Sequence, residues 1–140
     1  FKKPSNQLYC GNSGTTMRLL SGILGGLNIK SELIGDKSLS TRPMDRIINP
    51  LREMGINIIC DKGTAPIIID KSNTFRNLNY SQEVSSAQVK SALLLAGICL
   101  NKKVIINEQY KTRDHTEIIL KSIGYNINTI KNKILLNPTN

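Results

Sequence analysis

The sequence is poor in aromatic residues and has no long apolar run, and each shortage weighs against a class of function. Aromatic side chains make up 4% of the 140 residues, and tryptophan is absent. Proteins that bind single-stranded nucleic acid stack the bases on aromatic rings, so the formal net charge of +9 favours small phosphorylated or carboxylated anions as ligands. The longest apolar stretch, residues 92–100, is far shorter than the roughly 20 residues of a membrane span. We therefore predict no membrane-spanning segment.

Cysteine is also scarce. The three cysteines, Cys10, Cys60 and Cys99, are an odd number and form no CxxC pair, which argues against a disulfide framework and a zinc site. The single histidine, His115, has no Ser/His/Asp or metal-binding constellation around it. We expect no metal, no cofactor and a reducing, cytoplasmic environment. Cys10 and Cys99 are predicted to be buried as small apolar side chains.

What the sequence does contain is a regular alternation of patterns typical of strands and helices. β-branched runs predict strands, and apolar residues three or four apart predict helices. Pro43 fits the first turn of the second helix, and Pro50 can kink that helix. The predicted order is strand 7–10, helix 15–24, strand 28–34, loop 35–41, helix 43–54, strands 56–60 and 65–69, strand 76–81, helix 87–100, strand 103–107, helix 114–123 and strands 125–130 and 133–136.

The second half of this order repeats the first. Residues 54–58 (MGINI) recur as residues 123–127 (IGYNI), and Thr41-Arg42 recurs as Thr112-Arg113. Two units, about residues 7–70 and 76–137, are each predicted to have the order βαβαββ. One unit cannot cover both faces of its helices, so the two must pack together. We expect residues 1–140 to be part of one pseudo-symmetric α/β domain, and the initial phenylalanine to mark an incomplete piece of a longer protein.

A glycine-containing turn, Gly11-Asn12-Ser13-Gly14, links the first predicted strand to the first predicted helix. Backbone N–H groups at a helix N-terminus can bind an anion, and glycine lets a ligand approach the backbone. The turn matches neither a P-loop nor a GxGxxG fingerprint. An ordinary capped helix, with Asn12 or Ser13 at the N-cap, explains the turn equally well. The residues alone leave both interpretations open.

Two arginines lie near predicted helix starts. Arg42 stands just before the second helix, where a guanidinium can bind a carboxylate or phosphate through two hydrogen bonds. The alternative for Arg42 is a solvated surface side chain. Arg18 lies inside the first helix, close to its N-terminus, and we interpret it as a structural residue near the site.

The two later helices also begin with polar residues. Ser85-Ser86-Ala87-Gln88 opens the most apolar helix. One serine can cap that helix, while the other hydroxyl and the Gln88 amide face outward toward a polyhydroxylated or phosphorylated ligand. Thr112-Arg113 precedes the last helix in the same manner. Ordinary helix capping is the alternative at both places.

Together, these segments resemble one enzyme family. Residues 11–20 (GNSGTTMRLL), 40–44 (STRPM), 86–97 (SAQVKSALLLAG) and 112–117 (TRDHTE) are similar, in the same order, to the motifs of EPSP synthases, the 3-phosphoshikimate 1-carboxyvinyltransferases. The Ser-Ala-Gln form of the third segment resembles the bacterial class II branch. The resemblance implies transfer of the enolpyruvyl group of phosphoenolpyruvate to the 5-hydroxyl of shikimate 3-phosphate, in aromatic amino acid biosynthesis. It also implies the inside-out α/β fold of the enolpyruvyl transferases, with three βαβαββ units in each of two lobes.

The resemblance further implies roles for individual residues. It places phosphoenolpyruvate at Asn12, Gly14, Arg42 and Gln88, and it implies that added bulk at Gly14 excludes the inhibitor glyphosate. It places shikimate 3-phosphate at Ser86, Ala87, Gln88, Thr112 and Arg113, with Thr112 standing where the family often has serine. The partners implied are these two anions, glyphosate and the other lobe of the same enzyme.

The family's principal acid and base residues have no counterpart in these 140 residues. The resemblance places them in an amino-terminal Lys-Ser...Arg segment and in the other lobe. We therefore assign no catalytic residue here and expect that the chain alone does not turn over.

Two alternative functions remain, and each would involve a ligand other than shikimate 3-phosphate. The sister family, UDP-N-acetylglucosamine enolpyruvyl transferase, shares the fold and the donor, but it typically carries a cysteine in the loop that matches residues 35–41, where this chain has none. A basic nucleic-acid-binding module is the rival from another class, and its affinity would fall steeply with salt.

Overall fold

The computed structural model describes residues 1–139, and these form four helices and eight strands in the predicted order. Within this range no helix is long and apolar enough to cross a membrane. A short 3-10 turn, Leu39–Thr41, lies in the predicted loop. The elements are β1 (Leu8–Tyr9), α1 (Gly14–Gly26), β2 (Ser31–Ile34), α2 (Asp45–Glu53), β3 (Asn57–Asp61), β4 (Thr64–Asp70), β5 (Leu78–Ser81), α3 (Ala87–Leu100), β6 (Val104–Asn107), α4 (His115–Ser122), β7 (Ile127–Ile130) and β8 (Lys133–Leu136).

The strands form two four-stranded sheets of identical topology. The strand order is β1-β2-β4-β3 in one sheet and β5-β6-β8-β7 in the other. In each sheet the first pair is parallel and the other two pairs are antiparallel. A helix joins the two parallel strands, as a parallel crossover requires. The chain therefore has the predicted α/β fold of two tandem βαβαββ repeats.

Helices α2 and α4 end in the same backbone motif, which explains the recurring sequence. Gly55 follows α2 with φ +89°, and Gly124 follows α4 with φ +97°, a conformation that glycine adopts without steric penalty. The next residue donates its N–H to the carbonyl five positions earlier, from Ile56 to Leu51 and from Tyr125 to Leu120. This is a Schellman cap, and it sets the turn from helix to strand in each repeat.

Asn28 and Asn101 close helices α1 and α3 in equivalent ways. Both are left-handed, with φ of 55° and 51°. The Asn28 side chain exchanges two hydrogen bonds with the backbone of Ser72, after β4, and Asn101 does the same with Thr139, after β8. Each asparagine ties the end of a helix to the end of its repeat. Because Asn28 is left-handed, the strand predicted from residue 28 begins instead at Ser31.

Helices α1 and α3 lie parallel and close together because small residues line their contact. Gly22 faces the Ala92 carbonyl, and Gly26 faces the Ala96 carbonyl and Cys99. Helix α2 packs on α3 from the side of the first repeat. The core between these helices and the two sheets is mainly apolar. This packing brings the N-terminal ends of α1 and α3 side by side.

Several predicted boundaries were wrong by one or two residues, and tertiary hydrogen bonds lie at two of them. Helix α2 begins at Asp45 rather than Pro43, because Met44 has a non-helical backbone with φ −117° and ψ 1°. The Met44 N–H donates to the Gly63 carbonyl of the neighbouring hairpin at 2.7 Å. The Arg76 N–H donates to the Met54 carbonyl of the first repeat, so the strand predicted from residue 76 begins at Leu78. Helix α4 begins one residue later than predicted, and β7 two residues later.

Candidate functional site

The N-terminal ends of α1 and α3 are joined by one side chain, Gln88. Its Oε1 accepts a hydrogen bond from Arg18 Nη1 at 2.7 Å, and its Nε2 donates to Thr15 Oγ1 at 2.8 Å. The two helices belong to different repeats, so Gln88 connects the repeats where their unpaired N–H groups and positive dipole ends converge. The polar turns identified separately in the sequence therefore meet in one region.

Serine occupies the N-cap of both helices. Ser13 Oγ accepts the Thr16 N–H at 3.1 Å, and Ser86 Oγ accepts the Val89 N–H at 3.4 Å. Of the two N-cap candidates in the first turn, Ser13 has this role and Asn12 does not. A capping hydroxyl keeps its own proton, so Ser86 Oγ can also donate to a ligand.

Asn12 instead links Arg42 to Asp36. Arg42 Nη2 donates to Asn12 Oδ1 at 2.8 Å, and Asn12 Nδ2 donates to the two Asp36 carboxylate oxygens at 3.0 and 3.1 Å. The neutral amide orients the guanidinium without cancelling its charge by direct pairing. Arg42 therefore keeps donors and charge for a ligand.

Arg18, Arg42 and Arg46 form a cluster of positive charge beside Gly14. None of the ion pairs among residues 1–139 involves these arginines. Burial lowers the pKa of Arg18, and the charges of Arg42 and Arg46 lower it further. A Cβ placed on Gly14 would be 2.9 Å from Arg18 Nη1 and 3.4 Å from Arg42 Nη1. The glycine therefore lets the two guanidinium groups lie close to the backbone at the start of α1, and together they favour binding of an anion there.

Two clefts meet at Gln88. The first, which we call the arginine cleft, has a volume of about 540 Å³ and is lined in part by Arg18, Arg46 and Ser86. The second, the Arg113 cleft, has a volume of about 230 Å³ and is lined in part by Ala87 and Arg113. Gln88 contributes to both. The structure thus brings Ser86, Ala87, Gln88 and Arg113 together around two adjoining spaces.

The Arg113 cleft contains further residues that the sequence analysis did not assign to a ligand. Ser91 follows Ala87 by one helical turn on α3, so helical periodicity could have identified it. Ser91 Oγ lies 2.6 Å from Thr116 Oγ1 and joins α3 to α4. The residues missed in this cleft are Thr15, Leu19, Ser91, His115 and Thr116.

Thr112 differs from the other predicted site residues because its hydroxyl is engaged by the protein. Thr112 Oγ1 donates to Glu108 Oε1. A hydroxyl has a single proton, so Thr112 can accept a hydrogen bond but cannot donate one while this contact holds. The residue adjoins Arg113 in the chain but does not line the Arg113 cleft.

The cysteines lie apart from these clefts. All three are free thiols, Cys10 is buried as predicted, and Cys99 is only half-buried because it lies toward the C-terminal end of α3. Burial raises the pKa of both Cys10 and Cys99, which lowers the thiolate fraction and hence reactivity.

We expect Asp36 to titrate below the ordinary range of an aspartate. The Leu39 N–H lowers its pKa most, and the Asn12 amide and the charge of Arg42 lower it further. Because the folded pKa lies below the unfolded value of about 3.9, its contribution to stability is complete above that pH and is lost as the pH falls through the folded pKa. A carboxyl ¹³C NMR titration measures this, and Asn12→Ala should raise the pKa. An Asp36 pKa at or above the ordinary value would contradict the Asn12 link.

Comparison with known proteins relates this site to one family. The model of the family "EPSP synthase (3-phosphoshikimate 1-carboxyvinyltransferase)" matches residues 1–140. The chain is 51% identical over 135 residues to the 3-phosphoshikimate 1-carboxyvinyltransferase of Vesicomyosocius okutanii. The matched region covers 96% of this chain and 31% of that protein. It is 48% identical over 133 residues to that of Clostridium tetani, with 95% and 30% covered.

Solved structures agree with these relatives. An EPSP synthase structure from Acinetobacter baumannii matches with a TM-score of 0.91 and 46% identity, covering 97% of this chain and 31% of that chain. The chain therefore spans about a third of the length of the relatives it matches. Because the family model extends over every residue, including both clefts, this chain belongs to the EPSP synthase family.

Proposed function

We propose that this chain supplies part of the substrate site of an EPSP synthase, which transfers the enolpyruvyl group of phosphoenolpyruvate to the 5-hydroxyl of shikimate 3-phosphate and releases phosphate. The observation that carries the proposal is the arginine cluster around Gly14, which has no ion-pair partner among the described residues and adjoins a second cleft containing Arg113. A reaction between two phosphorylated substrates needs two such neighbouring anion sites. Family membership supports the same reaction.

Phosphoenolpyruvate is assigned to the arginine cleft and the adjoining turn at Gly14. Asn12 holds Arg42 in place, and Gly14 lets the guanidinium groups of Arg18 and Arg42 approach the backbone of the turn. Gln88 fixes Arg18 from the other repeat, so Arg18 combines the structural role with a charge directed at the donor site. Glyphosate, which is also a small phosphorus-containing anion, would use the same guanidinium groups, and a Cβ on Gly14 would displace the Arg18 guanidinium, which lies 2.9 Å from that position.

Shikimate 3-phosphate is assigned to the Arg113 cleft. Arg113 is exposed and can offer two parallel hydrogen bonds to a phosphate. Ala87 leaves the first turn of α3 open to this cleft. The Ser86 hydroxyl borders the adjoining arginine cleft, next to Ala87 and Gln88, and keeps a proton that it could donate to an acceptor reaching across the junction. The Thr112 hydroxyl donates to Glu108, so we assign Thr112 to the acceptor site through its link to Arg113 rather than as a phosphate donor.

Gln88 stands where the two substrates would meet, because it lines both clefts. It is a neutral amide and cannot serve as the general acid or base. We therefore propose that the principal acid and base residues come from the other lobe and from a segment outside these 140 residues. A cytoplasmic location fits the three free thiols.

Phosphate release from the complete enzyme that contains this chain tests the proposed function. We expect release only when phosphoenolpyruvate and shikimate 3-phosphate are both present, and none from the 140-residue chain alone. Release with UDP-N-acetylglucosamine as the acceptor would favour the sister family. Turnover by the isolated chain would contradict the assignment of the acid and base residues to missing segments.

A titration of the isolated chain with shikimate 3-phosphate, followed by backbone amide NMR, tests the residue assignments. We expect shifts centred on Ser86, Gln88 and Arg113, because these residues border the Arg113 cleft or its junction. Phosphoenolpyruvate should instead shift the amides around Asn12 and Gly14. Duplex DNA at the same ionic strength is the control, and it should produce only weak, salt-sensitive shifts. Identical shifts with both substrates would contradict the division into two subsites.

A further inference from the structure

A buried ion-pair network of Lys90, Glu108 and Glu117 lies next to the Arg113 cleft, and only its contact from Thr112 to Glu108 enters the assignments above. Lys90 Nζ lies 2.6 Å from Glu117 Oε1 and 3.3 Å from Glu108 Oε1. The Lys90, Glu108 and Glu117 side chains are 1%, 2% and 7% exposed. Glu117 Oε2 is buried without a hydrogen-bond partner. Two carboxylates are thus buried against one ammonium group on α3, whose other buried residues are apolar.

The first repeat fills the position of Lys90 with an apolar residue. Lys90 is the fourth residue after Ser86, the N-cap of α3, and Met17 is the fourth residue after Ser13, the N-cap of α1. Met17 is completely buried, and Lys90 is 1% exposed. The same position in the same fold therefore accepts an apolar side chain of similar length.

The two carboxylates likewise have uncharged counterparts. Glu108 directly follows β6, and Gly35 directly follows β2. Glu117 lies seven residues before the glycine that caps α4, and Ile48, which is completely buried, lies seven residues before the glycine that caps α2. The whole network is therefore specific to the second repeat.

Fold stability does not account for this difference. Moving charged groups out of water is unfavourable, and replacing a buried ion pair with well-packed apolar residues is often neutral or stabilising. The first repeat shows that apolar side chains, Met17 and Ile48, can occupy the equivalent buried positions in this fold. The role of the network must then depend on which segments of the chain it holds together.

The network joins the pieces that surround the Arg113 cleft. Lys90 follows Gln88 by two residues on α3, Glu108 begins the irregular segment 108–114, and Glu117 lies in the first turn of α4. Glu108 also accepts the Thr112 hydroxyl, next to Arg113. Residues on both sides of Arg113 are therefore anchored to the helix that carries the other half of the cleft.

We infer that Lys90, Glu108 and Glu117 are positioning residues that hold segment 108–114 against α3, so that Arg113 and the first turn of α3 bind one phosphorylated acceptor together. The identity of that acceptor rests on the proposed function. The anchoring of the segment does not, and it can be measured without a ligand.

The test replaces Lys90 by Met, the residue of the first repeat, in the complete enzyme that contains this chain. Hydrogen exchange of the free enzyme is followed at the Glu108 N–H, bonded to Asn132 O at 2.8 Å, and at the Tyr110 N–H, bonded to Ser85 Oγ at 2.9 Å. We expect exchange there to rise relative to the rest of the chain. The Kd for shikimate 3-phosphate should rise about tenfold, and the Kd for phosphoenolpyruvate should stay nearly unchanged.

Two further variants separate positioning from stability. Leu94→Ala leaves a cavity on the same helix without touching a charge, because Leu94 is completely buried. It should lower the melting temperature but preserve the ratio of the two Kd values. A triple variant, Lys90→Met, Glu108→Gln and Glu117→Ile, removes every buried charge of the network. Its melting temperature should be higher than that of Lys90→Met. Hydrogen exchange in segment 108–114 should remain fast, and the affinity for shikimate 3-phosphate should remain low.

The outcomes are distinct. The inference would be overturned if the Glu108 and Tyr110 amides of the triple variant exchanged hydrogen at the wild-type rate. It would also be overturned if the affinities for both substrates fell equally. If Lys90→Met does not fold, these measurements are made on the triple variant. Local loosening together with an unchanged acceptor Kd would also overturn it. Failure of the wild-type enzyme to bind shikimate 3-phosphate, with the expected loosening in the variants, would reject the proposed function and leave the anchoring role supported.

Discussion

Alanine in place of Gly22 is expected to separate α1 from α3 and to lower the melting temperature of the chain substantially. The new Cβ would overlap the backbone carbonyl of Ala92, and a helix backbone cannot move aside by changing rotamer. Alanine favours a helix over glycine by about 1 kcal/mol, but overpacking costs about 1–3 kcal/mol and more where the backbone must shift. We expect a net loss of about 2 kcal/mol or more, which circular dichroism would record as a decrease of roughly 10 °C.

Gly25→Ala is the matched control on the same helix. Its Cβ would meet the Ile56 side chain, 2.8 Å from Cγ2. Ile56 is β-branched and buried, so the contact is relieved by a small shift of the loop that carries Ile56, which costs less than moving the hydrogen-bonded backbone of α3. The decrease in melting temperature should therefore be less than half of that for Gly22→Ala. Equal decreases, or an unchanged melting temperature with alanine at position 22, would show that close helix approach does not determine stability here.

The same helix contact shows how far local sequence predicts this fold. The apolar run and the serine cap predict helix α3 with both of its observed ends, Ala87 and Leu100. The structure adds a left-handed C-cap at Asn101, which the sequence analysis does not include. The repeated Gly-x-Asn-Ile sequence was informative for an equally local reason, since it encodes a helix cap and the following strand. Signals that lie within a few residues of one another can be identified without the structure.

Boundaries set by distant partners could not be predicted in this way. Met44, just before α2, donates its N–H to the Gly63 carbonyl, and Arg76, just before β5, donates its N–H to Met54 of the other repeat. Nothing near Pro43 or Arg76 in the sequence identifies these partners. Helix and strand ends also fray by one or two residues, so local sequence alone does not determine them.

The candidate site was predictable as a set of residue types but not as an arrangement. The sequence indicated helix N-termini that carry polar residues, and these converge in the structure. It did not indicate that Thr112 donates to Glu108, or that Lys90 is buried with two carboxylates. In the sequence Lys90 is a single charge within an apolar helix, and its partners lie 18 and 27 residues away. Such networks form only when folding brings residues that are distant in the sequence into contact.

Arg42 and Arg113, each replaced by Met, are expected to weaken the binding of different substrates. Arg42 lies in the cluster beside Gly14 and is held by Asn12, whereas Arg113 lines the other cleft. A hydrogen bond to a charged group contributes about 1.5–3 kcal/mol, which is roughly a 10- to 100-fold change in affinity. Arg42→Met should therefore raise the Kd for phosphoenolpyruvate by that factor, and Arg113→Met should do so for shikimate 3-phosphate.

Isothermal titration of the complete enzyme with each substrate measures both effects. Arg52→Met is the control, because Arg52 is an exposed arginine on α2 that donates to the Ile58 carbonyl and lies outside both clefts. It removes the same charge and should leave both Kd values nearly unchanged, which separates local contacts from the effect of net charge. If each arginine variant weakened both substrates equally, the two clefts would not be separate subsites, and the arginine cluster would act only through its summed field. The opposite patterns are expected because both arginines lack ion-pair partners within residues 1–139. Arg42 therefore has its full charge available to a substrate at the Gly14 turn, and Arg113 to a substrate in the Arg113 cleft.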